Sequence, residues 1–181
     1  MALKATVHKV QLQIADMGRH YYAEHALTVA RHPSETDERM MVRLLAFALH
    51  GHELLAFGRG VSTDDEPDLW QKDLTGAIEL WVQLGQPDEK DIRKACGRAR
   101  NVCIYNYSGH GAAIWWNQMA AKLAPIGNLT VIDVAAPSVQ ALATLAARNL
   151  ELSCTIQDGQ VWMATPEQSV DVQLTTRKAA R

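Results

Sequence analysis

Asp68 stands ahead of a short apolar stretch, Ala77–Gly85, which carries Glu79 and Gln83. A carboxylate before a strand, with a carboxylate and an amide carbonyl along it, offers hard oxygen ligands of the kind Mg²⁺ takes, with Mn²⁺ as a substitute. A cation held there lowers the pKa of bound water and offsets charge on an attacked phosphate. On this reading Asp68, Gln83 and Glu79 are metal ligands, and the chemistry is metal-assisted phosphodiester hydrolysis. The plainer reading of the same residues is a turn followed by a core strand.

The elements around these residues follow from periodicity. In Ala77–Gly85, Ile78, Leu80, Val82 and Leu84 share one face, while Glu79, Trp81, Gln83 and Gly85 share the other, because strand side chains alternate. Pro67-Asp68 lies in a segment too polar and Pro-interrupted for a long strand, and 68–72 reads as one helical turn. Downstream, Pro87, Asp88 and Glu89 open a helix that runs to about Arg100. Lys90, Lys94 and Arg98 recur on it at i, i+4 and i+8, flanked by Arg93 and Arg100. Two readings of that basic surface stand: a solvated face, or a stripe that tracks phosphates through Lys90, Arg93, Lys94 and Arg98. A strand over 102–107 completes a βαβ unit.

Upstream, Ser34 is an N-cap candidate for a helix from Glu35 to about Leu49. Glu38 falls at the edge of its apolar stripe. It is either a capping acid with its head in water or an inward carboxylate aimed at a metal or a basic group. Residues 4–15 alternate as an antiparallel strand with one wet face, and 21–31 can return as a second, although AEHALTVA also tolerates a helix. Residues 54–62 read as a strand, 112–123 as a helix bearing Trp115 and Trp116, 129–134 as a strand and 139–149 as a helix. Adjacent tryptophans cannot share a helix face, so one packs inward and the other is a partial surface, a lid or a base-stacking platform. Asp158-Gly159 marks a hairpin between 151–157 and 160–164, with a further strand over 169–174 and a frayed tail, 175–181.

The chain has 181 residues, enough for one domain with a substantial core. Net charge of −2 argues against coating nucleic acid through bulk charge, although it leaves room for a local basic groove. Three cysteines without a CxxC spacing read as reduced thiols, hence a cytoplasmic protein. The N-terminal stretch has no signal-peptide pattern, and no run approaches a membrane span. The seven histidines make no metal box. With no heptads, a monomer is the default.

The blocks ARHPSETDERMMVRLLAFAL, TDDEPDLW, IELWVQLGQPDEKDIRKAC, IWW and TIQDGQVWM span residues 30 to 163 and together resemble the YaeQ family of small bacterial proteins. Because YaeQ proteins are similar to PD-(D/E)XK, or restriction-endonuclease-like, nucleases, the resemblance implies a mixed α/β, or α+β, fold. That fold has a nuclease-like mixed sheet core over about 33–135, flanked by helices. Extra antiparallel strands from both chain ends would join it within one domain over 1–181. Pro67-Asp68 matches the PD half of the nuclease pattern. Gln83-Leu84-Gly85 stands where the pattern wants an acid, any residue and a lysine, so both functional positions depart. The resemblance implies Glu38 as a helix carboxylate, Asp68 as the motif aspartate and Gln83 at the strand-acid position, more often Glu in the family. Lys90 or Lys94 becomes a migrated lysine. Gln83 removes a full negative charge from the metal site, which Glu79 on the same face could restore.

Three functions follow from this pattern: a Mg²⁺-dependent nuclease acting on DNA or RNA, an inactive nuclease-fold protein that binds nucleic acid or a protein partner, and an interaction protein without phosphate chemistry. Gln83 and Gly85 favour the second over the first, while the acidic segment 64–68 beside the basic helix keeps the first in play.

Overall fold

The computed structural model describes residues 4–59 and 65–181. In chain order the elements are β1 (Thr6–Asp16), β2 (Tyr21–Arg31), α1 (Asp37–Leu49), β3 (Leu55–Phe57), β4 (Leu69–Lys72), β5 (Ile78–Leu84) and α2 (Glu89–Arg98). They continue with β6 (Ala99–Asn106), α3 (His110–Leu123), β7 (Leu129–Val134), α4 (Ala136–Ala143), β8 (Asn149–Gln157), β9 (Gln160–Ala164), β10 (Ser169–Val172) and β11 (Leu174–Lys178). This is a mixed α+β fold with two mixed sheets. The chain divides into two compact units, one of Met1–Gly51 and Pro137–Gln173, the other of His52–Ala136 and Leu174–Arg181. The division runs through the expected core over 33–135, placing α1 in the first unit.

The first unit holds a five-stranded sheet in the order β10-β9-β8-β1-β2. Alternation buries Val10, Leu12 and Ile14 of β1 with Leu150, Leu152 and Cys154 of β8, and turns Lys9, Gln11, Gln13 and Glu151 to water. The terminal strands therefore form a sheet of their own, and β1 runs parallel to β8 rather than only antiparallel to β2. Asp158 (φ 52°) and Gly159 (φ 76°) both take the left-handed conformation that a two-residue hairpin turn needs, joining β8 to β9.

Helix α1 packs on β1 and β8 and is buried from Met40 to Ala48. Its N-cap is Thr36, not Ser34: the Thr36 Oγ1 accepts from the Arg39 N–H at 3.1 Å. Glu35 is released to a different task. It is buried and pairs with Arg39 at 2.7 Å and with Arg43.

The second unit holds a six-stranded sheet, β11-β7-β6-β5-β4-β3, in which β5, β6 and β7 are parallel. Helices α2 and α3 share a core with one sheet face: Ile92, Ala95, Trp115, Met119 and Leu123 pack with Trp81, Val102, Ile104, Leu129 and Val131. Trp115 is the inward tryptophan, its indole N–H donating to the Pro87 carbonyl at 3.1 Å, while Trp116 is half-buried against the same cluster.

Several boundaries differ from the sequence reading. The expected helical turn over 68–72 is strand β4, drawn into the sheet by its pairing with β5. The expected strand over 54–62 is β3, three residues long, and its expected continuation over 60–62 lies outside the described residues. Asp88 caps α2, its carboxylate accepting from the Asp91 N–H, so Pro87 stays outside the helix. Arg100 falls on β6 and leaves the basic helix with four cations. Helix α4 ends at Ala143 rather than near 149. The tail is not frayed: β11 pairs antiparallel with β7, and Arg177 bonds Asp133 at 2.7 Å. No helix among the described residues is long and apolar enough to cross a membrane.

Candidate functional site

Strand β4 runs antiparallel to β5 with Leu69 opposite Val82 and Trp70 opposite Trp81. One step further along this ladder, Asp68 comes level with Gln83. The Leu84 N–H donates to Asp68 Oδ2 at 2.8 Å, which holds the carboxylate at the end of β5. Gln83 is half-buried on the sheet face that carries Trp81, and its Oε1 accepts from the Trp81 indole at 3.3 Å. The structure thus brings one carboxylate and one oriented amide carbonyl to the same end of two neighbouring strands.

Glu79 does not join them. It shares their face but lies four residues from Gln83, about 13 Å along an extended strand, and its carboxylate sits 3.5 Å from Arg100. A cation whose ligands lie roughly 2.0–2.6 Å away cannot take both side chains. The structure directs Glu79 to Arg100 rather than to Gln83.

Gly85 explains the missing lysine. Its φ is +97°, a conformation that penalises any side chain, and its N–H donates to the Tyr105 carbonyl as the chain leaves β5 for α2. Two cations of α2 are held at Asp65. Lys94 Nζ lies 2.9 Å from Asp65 Oδ1, and Arg98 donates to the Asp65 carbonyl at 2.9 Å. The Arg98 guanidinium also lies over the Trp81 ring, 5.0 Å from its centroid. Lys94 therefore holds the Asp65 carboxyl below its ordinary range, mainly by hydrogen bonding and then by charge, with Arg98 adding to it. Arg93 faces elsewhere, bonding Glu89 at 2.9 Å and the Lys122 carbonyl at 3.1 Å. Lys90 is exposed and has no side-chain partner among the described residues.

Asp68, Gln83, Lys94 and Arg98 thus belong to one unit and to adjoining elements of it. Glu38 belongs to α1 of the other unit, where it is half-buried and has no side-chain partner among the described residues. Asp64 lies outside the described residues.

Sequence reasoning did not foresee Asp65 as the partner of Lys94 and Arg98, nor Trp81 as the donor that fixes Gln83. The second had a visible signal, since residues two apart on a strand share a face.

Among the described residues no group of three or more His, Cys, Asp and Glu is placed to hold a metal ion. The donor set at Asp68 and Gln83 is nevertheless all oxygen. Mg²⁺ characteristically binds through one or two carboxylates and fills its remaining positions with water and phosphate. The donor chemistry of the pair therefore fits Mg²⁺. Thiol chemistry is disfavoured, because burial pushes the Cys103 and Cys154 thiols to about 12 and Cys96 to about 11.

A family model described as YaeQ protein matches residues 1–174. The chain is 43% identical over 175 residues to "Uncharacterized protein YaeQ" of Salmonella typhi, and 42% identical to its counterpart in Escherichia coli K12, covering 97% of each chain in both cases. It is also similar to the crystal structure of the YaeQ protein from Xanthomonas axonopodis pv. citri, with a TM-score of 0.94 and 49% identity over 97% of this chain and 99% of that one. The crystal structure of the Pseudomonas syringae YaeQ protein matches with a TM-score of 0.92 and 32% identity, covering 97% of each chain.

Proposed function

This chain belongs to the YaeQ family, and from that premise we propose that its second unit binds nucleic acid and slowly hydrolyses phosphodiesters with Mg²⁺ held at Asp68 and Gln83. The observation that carries the reading is the Leu84 N–H bond to Asp68, which fixes a carboxylate level with the Gln83 carbonyl in the unit that also carries the cations of α2. When bound, the cation would supply a nucleophilic water at neutral pH and offset phosphate charge. Asp68 and Gln83 would hold it, and the indole of Trp81 keeps the Gln83 oxygen oriented. Lys94 and Arg98 would draw a phosphate toward the site, with Lys90 extending the contact along α2. Exchange of Asp65 for a substrate phosphate would release Lys94 to stabilise developing negative charge.

A second reading is favoured by two specific residues. Gln83 withholds a negative charge, and Gly85 supplies no lysine, so the same surface would bind nucleic acid without cutting it. Incubation of labelled single-stranded DNA, duplex DNA and RNA with Mg²⁺ or Mn²⁺ separates the two. Hydrolysis predicts cleavage that is stopped by a chelator, lost in Asp68→Asn and reduced at least tenfold in Lys94→Ala. Salt-dependent binding without cleavage, weakened by Lys90→Ala and Lys94→Ala, supports the second reading. Neither binding nor cleavage overturns both.

A further inference from the structure

The five-stranded sheet of the first unit turns one face to water, and that face is a groove. Three cavities of about 620, 420 and 340 Å³ lie on it, and neighbouring ones share lining residues. The strand register orders them. The first lies at the Lys9–Asn149 pair, the second at Gln11–Glu151 and Gln13–Ser153, and the third reaches Ala15–Thr155. They are successive stations along β1 and β8, spanning six residues, or about 20 Å at strand rise. That length matches about six residues of an extended peptide. The loop of Thr165, Pro166 and Glu167 walls one side of the first cavity.

The side chains along the groove have a consistent chemistry. Glu24, Glu151 and Glu167 are exposed carboxylates with no ion-pair partner among the described residues. Lys9, the cation among the lining residues, is hydrogen-bonded to Thr28 at 3.0 Å. Gln11 and Gln13 present amides that can donate to or accept from a peptide backbone. At the far end, one cross-strand row runs from Asp171 and Trp162 through Thr155 and Ala15 to Tyr22. Small residues thus separate two aromatic rings, and Tyr22 is 61% exposed. Exposed carboxylates on the same face as the exposed Tyr22 ring and the half-buried Trp162 suit guanidinium and ammonium groups and repel polyphosphates.

We propose that this face is a docking groove for an extended, Arg/Lys-rich segment of about six residues from a partner protein. It is independent of the Asp68–Gln83 reading, since every residue it uses lies in the other unit.

Fluorescence anisotropy with a labelled peptide of alternating Arg and Ser tests it, with Asp/Ser and Gln/Ser peptides of equal length as controls. The expected result is binding of the Arg/Ser peptide alone. It should weaken at least tenfold in the Glu24→Gln, Glu151→Gln double variant, whose positions are exposed, and fall as ionic strength rises. Lys90→Ala and Lys94→Ala should leave it unchanged. Equal binding by the double variant, tighter binding of the Asp/Ser peptide or of an oligonucleotide at this face, or no binding of any peptide would each overturn the proposal.

Discussion

Gln83 is the residue on which the proposed metal chemistry turns. Its carbonyl is oriented by Trp81 and lies level with Asp68, but it brings no charge. Gln83→Glu should tighten Mg²⁺ binding about tenfold, or ~1.4 kcal/mol, measured by titration calorimetry, because a second carboxylate would then face Asp68. An unchanged affinity would mean that the cation does not sit between these side chains. The shared face of Glu79, Trp81 and Gln83 was legible from the two-residue period of β5. The division of labour along it was not, because the period says nothing about how far apart two same-face residues lie when one cation must touch both. Asp65 was equally hidden. An exposed acid in a turn acquires a role only when tertiary structure brings Lys94, 29 residues on, against it.

At the scale of elements, α2 carries the cations, and Asp88 starts it by accepting from the Asp91 N–H at 2.9 Å. Asp88→Ala should cost about 1 kcal/mol and lower Tm by about 2–4 °C, seen in thermal unfolding by circular dichroism. A Tm equal to wild type would show that the cap is not stabilising. Long alternating strands such as β1 and β5, and the Asp158-Gly159 hairpin, could be read directly from their residues. Strands β4 and β11 could not. Both are short and at least half polar, and each becomes a strand because a neighbour, β5 or β7, presents a ladder to pair with. Helix α1 was legible as a helix, yet its Glu35 looked like a dipole-favouring acid of the first turn. The spacing of Glu35, Arg39 and Arg43 at four-residue steps was the available sign of the buried ion-pair group.

At the scale of the whole molecule, His50 makes stability depend on pH. Burial, and then the nearby Arg19 cation, push its imidazole down to about 4 from an unfolded value of about 6.5. The unfolded chain therefore takes up this proton first as pH falls. The stabilisation is fully present above about pH 6.5 and is lost on the way down to about 4. His50→Gln should flatten the pH dependence of Tm across that window, and an unchanged slope would assign it to other groups. The division into two units gives each proposal its own ground: phosphate chemistry on the six-stranded sheet, peptide docking on the five-stranded one. The central claim is that Asp68 anchors a divalent cation at the end of β5. Its most direct test is calorimetric titration of Mg²⁺ and Mn²⁺ into the protein and into Asp68→Asn, which can still accept from the Leu84 N–H. The expected result is weak binding to the native chain that is lost in the variant. Equal binding by both, or none by the native chain, would contradict it.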